Sequence, residues 1–172
     1  MAYAAPAGGG GLVYISRQTA SSSATIDFDS VFTSTYNSYL CIIEDLTGST
    51  NANLNLQYKY STNTIQTTGY YSFVTQTNYN GSASNQGVNN GSAINILYGA
   101  LSANFSSATM LMTPGNVNGQ LGISGTGYAA NVVGNANFGG ANSNSQTYTG
   151  FRLSPSTGNL TGSVTLYGLA KS

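Results

Sequence analysis

Gly150-Phe151-Arg152-Leu153-Ser154-Pro155-Ser156-Thr157-Gly158-Asn159-Leu160-Thr161-Gly162-Ser163-Val164-Thr165-Leu166-Tyr167-Gly168-Leu169 reads as two strands joined by a Pro/Gly/Asn turn. Phe151 and Leu153 fall on one side of the first arm and Arg152 on the other, the two-residue period of a half-buried strand. In the second arm Val164, Leu166 and Gly168 alternate with Thr165, Tyr167 and Leu169, so both faces carry apolar residues. The expectation is a closing hairpin whose last strand lies between two layers, inside an all-β sandwich.

The same period recurs upstream. Residues 12–18 (Leu-Val-Tyr-Ile-Ser-Arg-Gln) read as a first strand, residues 20–23 as a polar turn, and Ala24, Ile26 and Phe28 alternate with Thr25, Asp27 and Asp29. Residues 39–46 are the most apolar run and read as a central strand. Leu54, Leu56, Tyr58 and Tyr60 alternate with Asn53, Asn55, Gln57 and Lys59 and should line the core. Further strands are expected at 69–77, 93–97, 108–113, 119–124, 129–133 and 146–153. Val31, Phe32 and Tyr36 at near-helical spacing after Ser30 allow one short helical turn near 30–37.

Two Gly/Asn/Ser-rich stretches, 78–91 and 135–145, read as loops; Asn80-Gly81 and Asn90-Gly91 favour tight turns. Many short strands, no amphipathic helix and no internal repeat predict an antiparallel two-sheet β-sandwich, jelly-roll-like because the strand count exceeds seven. The chain of 172 residues is the size of one domain. A flexible Gly-rich arm, 1–11, is expected to precede a single sandwich domain, 12–172.

Composition narrows the function classes. Only 5% of residues are charged, against roughly 25% in ordinary soluble domains, and the net charge is zero. So weakly charged a surface favours self-association, which predicts one covered by partners. Arg17, Lys59, Arg152 and Lys171 are scattered and form no footprint for a phosphate backbone, so nucleic acid is not an expected partner. The first residues lack the basic start and apolar core of a secretory signal, and no run of apolar residues is long enough to span a membrane.

The chain has no histidine, which removes the commonest general base, the Ser-His-Asp and Cys-His arrangements and the commonest zinc ligand. Cys41, inside Leu40-Cys41-Ile42-Ile43, reads as a small buried hydrophobe. Gly8–Gly11 lacks the Lys-Ser/Thr of a phosphate loop. Asp27 and Asp29 lie two apart on one strand face, about 7 Å between α-carbons. That spacing suits an acid/base pair or half a calcium site, but a hard cation needs six or more oxygens and no acidic Gly-rich loop is present. The favoured assignment is a structural ion pair of Asp27 or Asp29 with Arg152 or Arg17. Glu44 and Asp45 mark the exit of the apolar strand. No catalytic residue, cofactor or metal is assigned, and no enzymatic activity is expected. Tyr70, Tyr71, Tyr79 and Tyr98 flank the long polar stretch and, with Tyr3 and Pro6 in the arm, are the candidate interface residues.

Gly11-Leu12-Val13-Tyr14-Ile15, Ala24-Thr25-Ile26-Asp27-Phe28, Tyr36-Asn37-Ser38-Tyr39-Leu40, Gly150-Phe151-Arg152-Leu153 and Val164-Thr165-Leu166-Tyr167-Gly168 resemble the small all-β virion proteins of tailed bacteriophages. These are the decoration (cement), head-fibre and tail-fibre-tip group, often from phages of marine or cyanobacterial hosts. The resemblance spans nearly the whole chain and is carried by composition. It implies a jelly-roll-like sandwich, commonly a homotrimer, located on a virion assembled in the host cytoplasm. The implied role is capsid decoration, with the major capsid or another virion protein as partner and the N-terminal arm laid along a neighbour. The alternative is a receptor-binding fibre tip contacting host surface glycans.

Overall fold

The computed structural model describes residues 11–113, 121–130 and 134–170. The wide sheet runs β1 (Leu12–Ser23), β13 (Leu160–Ala170), β3 (Tyr36–Gly48), β9 (Ser106–Thr113), β10 (Leu121–Ala129), β11 (Gly134–Asn142), β6 (Tyr70–Asn78) and β7 (Ala83–Gly91). The narrow sheet runs β2 (Ile26–Phe28), β12 (Tyr148–Pro155), β4 (Ala52–Tyr60) and β5 (Thr64–Ile65), with β8 (Ile94–Leu101) paired to β4 as well. The strand pairs are antiparallel and the two sheets pack together as a β-sandwich. Among the described residues there is no helix, and so none long and apolar enough to cross a membrane. The arm, with Tyr3 and Pro6, lies outside the described residues except for Gly11.

The core fills from the alternating inner residues of both sheets. Tyr39, Cys41, Ile43, Met110, Met112, Val164 and Leu166 from the wide sheet meet Ile26, Phe28, Leu54, Leu56, Tyr58, Phe151 and Leu153 from the narrow one, all buried. Phe28 and Phe151, cross-strand partners, stack with ring centroids 4.7 Å apart. The other half of the wide sheet is covered by Ile94, Ile96 and Leu97 of β8, which packs on β6, β10 and β11. Tyr60, expected in the core, is only partly buried against it.

A bulge keeps β3 in phase. Ile43 and Leu46 both face inward although three positions apart, because Asp45 takes a left-handed φ of 50° and the pairing shifts between Ile43 and Leu46. On the neighbouring strand Gly162, at φ 143°, leaves the room this needs: a Cβ there would sit 2.8 Å from the Asp45 carbonyl oxygen.

Four sequence expectations are corrected. Phe151–Leu153 and Val164–Leu169 are not arms of a hairpin: β12 belongs to the narrow sheet and β13 to the wide one. The turn between them bonds sideways to the β3–β4 connection, which crosses between the sheets beside it, and to the start of β4. Ser156 N–H donates to Asn53 O at 2.9 Å, Ser49 N–H to Asn159 O at 3.0 Å and Asn159 N–H to Ser49 Oγ at 2.9 Å. Those bonds satisfy the turn and leave both arms available to other partners.

Strand β13 is interior to its sheet, between β1 and β3, but only its Val164/Leu166 face is in the core; Leu169 is exposed on the other. Residues 30–37 form no helical turn. Phe32 instead stacks on Phe151 and tilts against Tyr39, whose hydroxyl accepts from Thr33 N–H at 2.7 Å and donates to Thr33 O at 3.1 Å. The stretches expected as loops or turn contain strands: β7 and β11 lie within 78–91 and 135–145 or overlap them, and β1 continues through 20–23 over a bulge with Ser22 at φ 52°. Of the strand expected at 129–133, residues 129 and 130 are described and end β10 or follow it.

Candidate functional site

Asp27 and Asp29 carry the one carboxylate spacing in the sequence that suits acid/base chemistry. Register places Asp27 of β2 opposite Arg152 of β12, and Arg152 opposite Gln57 of β4, on the outer face of the narrow sheet. Arg152 donates from Nε to Asp27 Oδ1 at 2.8 Å and from Nη2 to Oδ2 at 3.2 Å; Thr25 Oγ1 donates to Oδ2 at 2.8 Å. Lys59 Nζ lies 2.5 Å from Asp27 Oδ1 and also bonds Asp29. Burial alone would raise the Asp27 carboxyl, but the Arg152, Lys59 and Thr25 hydrogen bonds outweigh it and bring its pKa down to about 2.

A carboxyl so fixed is ionised at neutral pH and cannot serve as the general acid of a glycosidase pair. The expected pairing of Arg152 with Asp27 is present. Lys59 is the member that sequence reasoning missed. It alternates with the residues expected to line the core, yet it is itself 3% exposed. The available signal was charge balance: Asp27 of β2 and Asp29 just after it exceed the one nearby arginine.

The interface candidates separate. Tyr70 is a correction: it is fully buried, its hydroxyl accepting from Tyr58 N–H at 2.6 Å and donating to Gln66 O at 3.1 Å. Its ring stacks on Tyr58, which in turn tilts against Tyr148. Burial pushes the Tyr58 and Tyr70 hydroxyls well up from their ordinary values, and that of Tyr148 to about 12. Tyr71 is exposed on the outer face of the wide sheet, Tyr79 stands 82% exposed at the β6–β7 turn, and Tyr98 is at the margin of exposure on β8. Among the described residues no ring contact joins these three. Cys41 is buried and its thiol is pushed up by burial alone, as expected of a core residue.

The outer face of the wide sheet is the larger surface. Cross-strand register aligns Tyr14, Tyr167, Leu40, Leu111, Ser124, Gly139 and Phe73 in one line over seven strands. Tyr14 and Tyr167 meet edge-to-face at 6.1 Å, and Phe73 lies across the bare backbone of Gly139. Tyr14 is 60% and Phe73 58% exposed, and Leu12, Tyr71 and Leu169 flank the line. The next line, two residues further along each strand, is polar except for Ile42: Thr165, Ile42, Thr109, Thr126, Asn137 and Thr75.

On this polar half a groove of about 660 Å³ crosses β3, β9, β10 and β11. Its floor is the backbone at Ile43, Ala108, Gly127 and Ala136, and its walls carry Thr109, Thr126, Asn137, Ser107, Tyr128 and Asn135. At one end Glu44 is held by Arg17 at 2.5 Å. Sequence reasoning missed this site because β11 looked like a loop. The signal was Gly125-Thr126-Gly127-Tyr128 beside Asn135-Ala136-Asn137, where every second residue is small and buried or half-buried. No protein-family model matches the chain, and no curated protein matches it.

Proposed function

We propose that this protein is a non-enzymatic structural component of a tailed-phage virion, a capsid decoration protein that works as one copy among many, most simply a homotrimer. The observation that carries the proposal is the apolar line from Tyr14 through Leu111 to Phe73 across the wide sheet, with Leu12, Tyr71 and Leu169 exposed beside it. Exposed apolar patches of this kind mark interaction surfaces. The near absence of charge supports it, since 4 acidic and 4 basic residues give no net repulsion between copies. Three of those acids, Asp27, Asp29 and Glu44, are already tied to cations within the fold. The phage assignment and the role of the arm rest on the resemblance of sequence alone. Imaging of particles with and without the protein tests the proposal: added density over the capsid surface supports it, and unchanged incorporation after deletion of residues 1–11 counts against the arm.

A second reading, a receptor-binding head- or tail-fibre tip, is favoured by Tyr79, which projects from a tight hairpin turn with Gly81 at φ 80°. Labelled antibody landing on fibres instead of the head distinguishes the two.

A further inference from the structure

The polar groove has chemistry of its own, independent of where the protein sits. Many hydroxyl and amide side chains of the surface are bonded to each other or to backbone, as Thr19 is to Ser163, Asn53 to Gly99, Asn142 and Asn144 to Thr68 and Asn159 to Ser22, while others, such as those along β7, are left open to solvent. The groove gathers several of the second kind in one concave place. The side chains of Ser107, Thr109, Thr126, Asn135 and Asn137 make no hydrogen bond with any other described residue. Five unspent donor–acceptor groups therefore face one volume within the range of small-molecule sites. Beside them stands Tyr128, 40% exposed, opposite Ser107 on one neighbour strand and Asn135 on the other.

The charge pattern selects the ligand class. Arg17, at the groove end, is engaged by Glu44, so among the described residues no unpaired cation there attracts a phosphate, sulfate or carboxylate. Asp45 at the same end is exposed and has no ion-pair partner among the described residues; its left-handed bulge conformation sets it on the groove lip. A ligand matching an acceptor carboxylate, two amides, three hydroxyls and one aromatic face is not an anion, and the predominance of uncharged hydroxyl and amide groups suits one rich in hydroxyls, with C–H edges to lie on the ring. A sugar has those features: its vicinal hydroxyls bridge amide and carboxylate acceptors while its apolar face stacks on tyrosine. Crossing four strands about 4.8 Å apart gives the groove the length of an oligosaccharide of a few residues.

The geometry points to a binding site for neutral oligosaccharides across β3, β9, β10 and β11, with Tyr128 as the stacking platform and Asn135, Asn137 and Asp45 as hydrogen-bonding partners. The site is built on strands of the sheet interior, so the backbone that carries its side chains is preorganised.

The test is titration of the full-length, nitrogen-15-labelled protein with maltohexaose, cellohexaose, chitohexaose and mannohexaose, following backbone amide signals. At least one sugar is expected to give saturable shifts confined to the amides lining the groove. Tyr128→Ala and Asn137→Ala each weaken that binding by about tenfold or more, while Tyr79→Ala leaves it unchanged. Asn137 is exposed, so Asn137→Ala carries the test if Tyr128→Ala does not fold. No saturable shift with any of the four sugars overturns the inference. So do shifts that map to the β6–β7 turn, or tighter binding of a sulfated oligosaccharide than of any neutral one. None of these outcomes bears on attachment to a particle, which the imaging experiment reads separately.

Discussion

Asp27 and Arg152 are direct cross-strand partners, and the guanidinium grips the carboxylate through two hydrogen bonds, at 2.8 Å and 3.2 Å. Because the folded carboxyl titrates near 2, below the ordinary value of 3.8, its contribution to stability is fully present above about pH 4 and is lost as the pH falls through about 2. The side chain is partly solvated, so the contribution is on the order of 1–2 kcal/mol after screening is discounted. Urea unfolding at a series of pH values should show wild type losing that increment on acidification. Asp27→Asn, which lacks it throughout, should converge on wild type near pH 2.

Lys59 is the buried half of the cluster. Removing its ammonium strips Asp29 of its cation and leaves Asp27 with Arg152 alone. Lys59→Ala is expected to cost about 3 kcal/mol in equilibrium unfolding. It should also move the Asp27 titration, followed by carboxyl carbon-13 signals, upward toward the ordinary value.

The paired tyrosines give opposite expectations from one chemical change. The Tyr58 hydroxyl is buried with no hydrogen-bond partner, whereas the Tyr70 hydroxyl makes two. Tyr58→Phe should therefore stabilise the protein by roughly 1 kcal/mol and Tyr70→Phe destabilise it by about 1–2 kcal/mol. Denaturant midpoints of the two variants on either side of wild type are the outcome sought.

Gly150 sits where β2 and β12 come together. A Cβ there would meet the Phe28 carbonyl oxygen at 2.0 Å, and backbone cannot swing aside as a side chain can. Gly150→Ala should cost about 2 kcal/mol or more and lower the thermal midpoint.

On the wide sheet, replacing both ends of the apolar line tests self-association without touching the core. Tyr14→Ser with Phe73→Ser is expected to shift light-scattering mass toward the monomer at concentrations where wild type associates. Its unfolding free energy should stay within about 1 kcal/mol.

Strands whose inner residues are large were legible in the sequence. Tyr39-Leu40-Cys41-Ile42-Ile43 and Leu54-Asn55-Leu56-Gln57-Tyr58 announce their period because burial on one face demands apolar bulk. In β11 the inner face is built from Gly134, Ala136 and Phe138, and in β7 the strand is an exposed edge, so neither needs a hydrophobic run. Pairing was harder to read than strand existence. The 156–159 turn has the composition of a hairpin, but its backbone groups are met by Ser49 and Asn53, residues a hundred positions away that no local pattern links to it. The Asp27–Arg152 pair was legible because complementary charges are so scarce here. The groove was not, since its side chains meet only through the register of four strands.

The pairing of β1 with β13 also fixes how the molecule bears load. Leu12 faces Leu169 at one end of that ribbon and Ser23 faces Leu160 at the other. Tension applied between residues 12 and 170 pulls at neighbouring points and peels the ribbon apart one rung at a time, at low force. Tension between residue 12 and the turn at 156–159 instead runs along the strands and loads every rung of the ribbon together. The same fold is thus soft along one axis and stiff along another, and the direction in which a neighbour holds it decides which is felt.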